Sequence, residues 1–313
     1  MKYPIGIQTF EKIISGGFVY VDKTDLIYSL ANGAQVYFLS RPRRFGKSLL
    51  VSTLEAYFEG KRELFEGLAM DKLEKDWVKR PVLHIDLNAQ KYDTPESLKH
   101  ILHATLPEWE KIYGAQASEI GLSLRFQGII RRAYEKTGHR VVILVDEYDK
   151  PMLQAIGNEE LQKSFRDTLQ AFYGALKSMD GCIKFALLTG VTKFGKVSVF
   201  SALNNLKDLS MDERYVEICG ISEREIHHYL EEELHELAGK QKMTYEEGRE
   251  GCRQLLSLPE PPDAILAMND TLAFAAMTEI KKHHLRIPAD IALIGYTDEL
   301  HSNYVEPALT AVT

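Results

Sequence analysis

A lysine and a serine placed after a glycine, with an aspartate–glutamate pair further along, can together hold a polyphosphate and a hard metal ion. The first group here is Ser40-Arg41-Pro42-Arg43-Arg44-Phe45-Gly46-Lys47-Ser48-Leu49, and the second is Asp146-Glu147. In a tight turn opening a helix, backbone N–H groups face an anion with the positive end of the helix dipole behind them. A lysine there reaches the β- and γ-phosphates, and the adjoining hydroxyl ligates Mg²⁺. Residues 41–49, Lys47 among them, are therefore expected to cradle a nucleoside triphosphate such as ATP, with the base left open. Ser48 and Asp146 are expected to hold Mg²⁺, since a hard cation prefers oxygen ligands. Glu147 is placed to orient or deprotonate a water. The usual pattern has glycine where this chain has Arg41. A side chain forced into a glycine-only conformation costs roughly 1–3 kcal/mol. Arg41 is thus expected at ordinary φ, or the loop entrance is shaped differently.

These residues need elements to position them. Val36–Leu39 precedes the loop as a strand-like run, and Lys47–Phe58 follows as a helical one. Val141–Val145 is a continuous apolar run, β-branched except at Leu144, as in a strand buried on both faces of a parallel sheet. Further strand-like runs are Val82–Leu87, Ile183–Leu188 and Tyr215–Cys219. Helical patterns lie between them at Pro95–Leu106, Phe126–Glu135, Leu161–Lys177 and Glu223–Leu237. Such alternation implies an α/β fold with right-handed crossovers and helices on both sheet faces. Ligands in these sheets lie beyond the carboxyl ends of the strands. Ser40, Asp86, Asp146 and Thr189 all fall at such ends. Thr189 could sense a γ-phosphate and Lys193 could stabilise developing charge, although for Lys193 a plain polar loop is an equal reading.

Several stretches carry a family resemblance. They are Tyr20-Val21-Asp22-Lys23-Thr24, the loop Arg41–Ser48, and Val145-Asp146-Glu147-Tyr148-Asp149-Lys150-Pro151. Thr189–Phe194, Val199–Asp208 and Gly220–Glu225 complete the set. In this order they resemble the AAA-ATPase-like proteins of anaerobic gut bacteria, from the start of the chain to about residue 245. Arginine at position 41 is typical of that family. The resemblance implies a P-loop NTPase three-layer sandwich with sheet order 5-1-4-3-2, the Thr189 strand lying between the phosphate-loop and Asp146 strands. It also implies a helical lid segment, a slow Mg²⁺-dependent ATPase acting as a switch or motor module, and a role near the nucleotide base for Asp22, Lys23 and Thr24. From the residues alone, Asp22 or Thr24 could simply cap the helix that follows.

The remainder resembles something else. Asp263–Asp270, Ile287–Asp298 and Pro307–Thr310 are similar to part of the C-terminal lobe of lac-repressor-type regulators, which have the periplasmic-binding-protein fold. That resemblance places Asn269, Asp270 and Asp298 near an effector. The chain thus reads as a join near Glu246–Glu250: residues 1–220 an ATPase-like domain, 221–247 the start of a lid, and 248–313 a small βαβ fragment. A ligand-sensing regulator fragment, or a nucleotide-gated interaction module without turnover, are the alternative functions.

Composition sets outer limits. A net charge of −7 argues against a protein that coats nucleic acid, and nucleic acid is not indicated as a partner. Three cysteines, Cys182, Cys219 and Cys252, show no metal-ligand spacing and point to a reducing compartment. No apolar run approaches membrane-spanning length, so a cytoplasmic protein is expected, with a nucleotide and a possible homo-oligomer or protein partner. His84, the pair His227-His228 and the pair His283-His284 read as structural or solvated, and Asp149 as a turn residue leading into Pro151, with steadying Lys47 or Arg44 as its lesser reading.

Overall fold

The structure is a computed structural model that describes residues 2–193, 206–231, 244–295, 306–307 and 309–311. The chain divides into two compact units, Met1–Glu225 and Ile226–Thr313.

The first unit begins with short helices α1 (Phe10–Ser15) and α2 (Thr24–Ala31), then β1 (Val36–Ser40) and α3 (Lys47–Phe58). After α4 (Ala69–Leu73) come β2 (Val82–Asp86), α5 (Ser97–Tyr113), α6 (Leu122–Thr137) and β3 (Val141–Asp146). Next are α7 (Lys150–Gln154), α8 (Glu159–Ser178), β4 (Ile183–Gly190) and β5 (Leu206–Asp208). The helix α9 (Glu223–Tyr229) starts at the end of this unit. The five strands form one sheet in the order β2-β3-β4-β1-β5, every neighbouring pair parallel. All six residues of β3 are buried, which explains its uninterrupted apolar sequence. Apolar layers cover both faces: Phe126, Phe165 and Phe172 belong to one, Leu50, Leu54 and Phe185 to the other.

Two sequence expectations need correction. The fifth strand is Leu206–Asp208, not Tyr215–Cys219. Glu213–Tyr215 instead forms a 3₁₀ turn, capped by the Asp212 side chain accepting from Arg214 N–H, and this turn breaks up the β-like run. The helix expected to end at Leu106 passes through Pro107 to Tyr113, stopping at Gly114 with φ +94°. Asp298, the Val199–Asn205 stretch and Glu232–Leu237 lie outside the described residues.

The second unit holds α10 (Tyr245–Leu256), β6 (Ala264–Leu266), α11 (Asp270–Lys282), β7 (Ala292–Gly295) and β8 (Thr310–Ala311). Its strands pair in parallel in the order β6-β7-β8. The residues of the expected seam, 246–250, lie within α10, which a full capping box between Thr244 and Glu247 starts. Gly248 allows α10 to approach α11 closely, since a Cβ there would lie 2.7 Å from that of Ala275. Glu279 of α11, 4% exposed, receives Arg249 at 3.2 Å and Arg253 at 3.1 Å from α10.

Candidate functional site

Register alone gathers the chemistry. In the parallel ladder Leu39 lies opposite Thr189, Ser40 opposite Gly190, and Asp86 opposite Asp146. All four strand ends therefore open on one edge of the sheet, although their residues are far apart in sequence.

The loop of residues 41–46 closes between β1 and α3. Arg41 has ordinary φ; the left-handed residues are Arg44 (φ +63°) and Gly46 (φ +86°). The Arg41 N–H donates to the Gly190 carbonyl at 3.1 Å, and its guanidinium donates to the carbonyls of Ser210 (3.0 Å) and Tyr215 (3.3 Å). Arginine here fastens the entrance of the loop. Among the described residues no side chain caps α3 at Gly46, which leaves its first-turn amides directed at the loop. Pro42, Arg43, Arg44 and Phe45 are exposed, and Ser48 and Leu49 are partly buried.

Lys47 is buried. Its ammonium lies 3.2 Å from Glu147 Oε1 and donates to the carbonyls of Arg41 and Pro42 at 3.1 and 3.2 Å. Ser48 Oγ donates to Asp146 Oδ2 at 2.6 Å, and Thr189 Oγ1 donates to Asp146 Oδ1 at 2.5 Å. One buried carboxylate thus joins α3, β3 and β4. Glu147 takes φ +54°, an uncommon conformation for a residue with a side chain, and its N–H donates to Asp146 Oδ1 at 3.1 Å. Burial raises the Glu147 pKa above the ordinary carboxylate value; Lys47 opposes this, while Asp146 and Asp149 add to it.

Lys47, Ser48, Asp146, Glu147 and Thr189 therefore come together. Lys193 does not join them: it is exposed and ion-paired with Asp208 at 3.2 Å, beside β5. Arg43 and Arg44 have no ion-pair or hydrogen-bond partner for their side chains among the described residues. Asp86 is exposed and accepts from Asn88 N–H. His84 bonds Glu55 of α3 through Nδ1 at 3.1 Å. The Cys219 thiol, pushed up to about 11 by burial, stays protonated.

Two features escape sequence reading. Asp149, fully buried, accepts from the N–H groups of Val191 and Thr192 and from Thr192 Oγ1 at 2.8 Å. It fixes the chain just after β4 rather than serving a local turn, and Val145–Pro151 gives no sign of that distant partner. The second is Gly220 (φ +82°), whose N–H donates to the Phe45 carbonyl at 2.9 Å. A Cβ there would stand 2.6 Å from the Phe45 ring. Nearby, Glu225 pairs with Lys23 at 2.6 Å and accepts from Ser222. Asp22 and Thr24 fasten the start of α2: Asp22 accepts from Thr24 and Ala69, and Thr24 Oγ1 accepts from Met70 N–H. Among the described residues no helix is long and apolar enough to cross a membrane, and no three or more His, Cys, Asp or Glu side chains gather into one cluster that could hold a metal ion.

An α/β fold with a mainly parallel sheet and these residues at one edge defines the class. Residues 4–200 match the family described as predicted AAA-ATPase, and the chain belongs to that AAA-ATPase-like family. Residues 199–313 match a periplasmic binding protein-like domain. An uncharacterized protein of the vnfD 5′ region of Azotobacter chroococcum mcd 1 is 43% identical over 227 residues, covering 72% of this chain and 44% of that protein. The probable HTH-type transcriptional repressor ExuR of Bacillus subtilis is 40% identical over 78 residues, 25% of this chain and 23% of its own length. The chain thus spans less than half of either relative. A solved LacI transcriptional regulator from a Rhodococcus species aligns with 74% of this chain and 83% of its own at 15% identity, with a TM-score of 0.21, too low to carry an argument.

Proposed function

We propose that this chain binds ATP with Mg²⁺ at the Lys47–Asp146 site and hydrolyses it slowly, as a switch or motor module of P-loop NTPase architecture. The observation that carries this reading is the Asp146 carboxylate held between Ser48 and Thr189, with Lys47 and Glu147 alongside. The residues suit the ligand: first-turn amides without a side-chain cap, a buried ammonium, and a hydroxyl–carboxylate pair of hard oxygens. When bound, Mg·ATP supplies the phosphoryl group and the charge-neutralising metal. Lys47 and the amides of residues 44–49 hold phosphate oxygens, with Arg43 and Arg44 at the loop's outer rim. Ser48 and Asp146 hold the metal. Glu147 takes a proton from water, and its raised pKa makes it a stronger base than an ordinary carboxylate. Thr189 reports the state of this site to β4 through Asp146, and Lys193 contributes only after leaving Asp208.

In this reading residues 1–220 form the ATPase domain, 221–247 the start of a helical lid, and 248–313 a partial periplasmic-binding-protein-like lobe, in a cytoplasmic protein that works with a further copy or a protein partner. Phosphate release from Mg·ATP by the purified chain tests it. Release that disappears in Lys47→Ala supports the ATPase. Binding without release supports a nucleotide-gated interaction module.

A ligand-sensing regulator fragment is a second reading, favoured by the match of residues 199–313. Against it, Asn269 is engaged in capping α11 through Leu272 N–H, and Asp270 is fully buried. A sugar that raises the melting temperature where ATP does not would favour this reading.

A further inference from the structure

The opposite edge of the large sheet carries a second charged cluster. Arg80 lies two residues before β2, Arg140 immediately before β3, and Lys184 is the second residue of β4. These strands are neighbours, so the three cations converge where the strands begin. The register slips there: Val141 pairs with Ile183 and Val142 with Phe185, leaving Lys184 as the extra residue of a bulge. Bulges re-aim side chains and recur at functional edges.

Among the described residues none of the three side chains has a hydrogen-bond or ion-pair partner. The acid that acts on Arg80 and Lys184, Glu74, is already engaged by the Tyr57 hydroxyl (2.5 Å) and by the amides of Lys75 (2.7 Å) and Asp76 (2.9 Å). Capping the end of α3 does not account for them either. The carbonyls of Glu55, Ala56, Tyr57 and Phe58 accept from the backbone N–H groups of Glu59, Lys61, Gly60 and Arg80. Burial and then repulsion from Arg80 and Arg140 lower the Lys184 pKa, and burial with repulsion from Arg140 lowers that of Arg80. Like charges held together at such a cost favour a bound counter-charge. Arg80 and Lys184 are half-buried and only Arg140 is exposed, a footprint that fits one compact group rather than a polymer.

We propose that Arg80, Arg140 and Lys184 form a binding site for a phosphate or phosphomonoester dianion, at the sheet edge remote from the phosphate-binding loop.

The test uses the full chain carrying Lys47→Ala, which removes the lysine of the other anion site. Its lysines are ¹³C-methylated, and the Lys184 signal, assigned through Lys184→Arg, is followed against pH in chloride and in inorganic phosphate at matched ionic strength. The expected result is a Lys184 titration below that of ordinary lysines in chloride, raised saturably by phosphate. Arg140→Gln, at an exposed position that leaves folding intact, should weaken the phosphate response about tenfold. A stronger response to glycerol phosphate than to phosphate assigns the site to small phosphomonoesters; an equal one assigns it to the free ion. Identical titrations in phosphate and chloride, or an Arg140→Gln chain that responds like its parent, would overturn the proposal.

Discussion

Ser48 and Asp146, from α3 and β3, are joined by a 2.6 Å hydrogen bond between hydroxyl and carboxylate. The second carboxylate oxygen is taken by Thr189 of β4. The site is thus tied together from within the sheet, and its supports can be tested one at a time.

Gly220 supports the loop from outside. Alanine at φ +82° is strained by about 1–2 kcal/mol, and its Cβ would also displace the Phe45 ring. Gly220→Ala should lower unfolding stability by at least that amount in urea and weaken nucleotide binding. An unchanged midpoint with unchanged affinity would show that Phe45 does not depend on this contact.

Asp149 supports the segment after β4. Asp149→Asn keeps the shape but replaces a carboxylate with an amide that has a single acceptor oxygen for donors from Val191 and Thr192. Hydrogen bonds to a buried charge are worth about 1.5–3 kcal/mol. Denaturant unfolding should show a loss in that range, with hydrogen exchange at Val191 and Thr192 accelerated first. Unaltered exchange at those two amides would refute the assignment.

Much of this arrangement is legible in the sequence. The loop, Asp146-Glu147 and the strand leading to Thr189 can be read because an uninterrupted apolar run ending in acid, and glycine-lysine-serine between a strand and a helix, each have a local physical cause. The fifth strand cannot be read this way. Leu206-Lys207-Asp208 is a three-residue edge strand with one apolar residue, whereas Tyr215–Cys219 has the better pattern but is bent by the turn that Asp212 caps. The partner of Asp149 is hidden for the same reason: a carboxylate that meets amides more than forty residues away leaves no periodic trace. Lys193 shows the converse case, since its place after β4 is visible in sequence but its capture by Asp208 is not.

Glu147 gives a pH dependence with a definite sign. Its folded-state pKa is raised, so between the ordinary value of 4.5 and the folded value the native state holds more protons than the unfolded chain. Stability therefore falls as pH rises through that window, and the charged form carries the penalty above it. Comparing unfolding free energies of wild type and Glu147→Gln across this range should show the falling component only in the wild type. The same slope in both proteins would place its origin elsewhere.

In the second unit, Gly248→Leu should force α10 away from α11, because the space beside Ala275 and Leu272 is closed. Overpacking of this kind costs about 1–3 kcal/mol. Hydrogen exchange should accelerate in residues 245–282 and stay unchanged in β1, β3 and β4. Unchanged exchange in residues 245–282 would contradict the close α10–α11 approach at Gly248.

The central claim is that Lys47 and its surrounding amides bind a triphosphate whose metal is held by Ser48 and Asp146. Calorimetric titration of wild type and Lys47→Ala with ATP, with and without Mg²⁺, tests it most directly. Loss of one charge-assisted contact in a buried site predicts an affinity about tenfold or more weaker in the variant, with the Mg²⁺ dependence confined to the wild type. Equal affinities in the two proteins would contradict it.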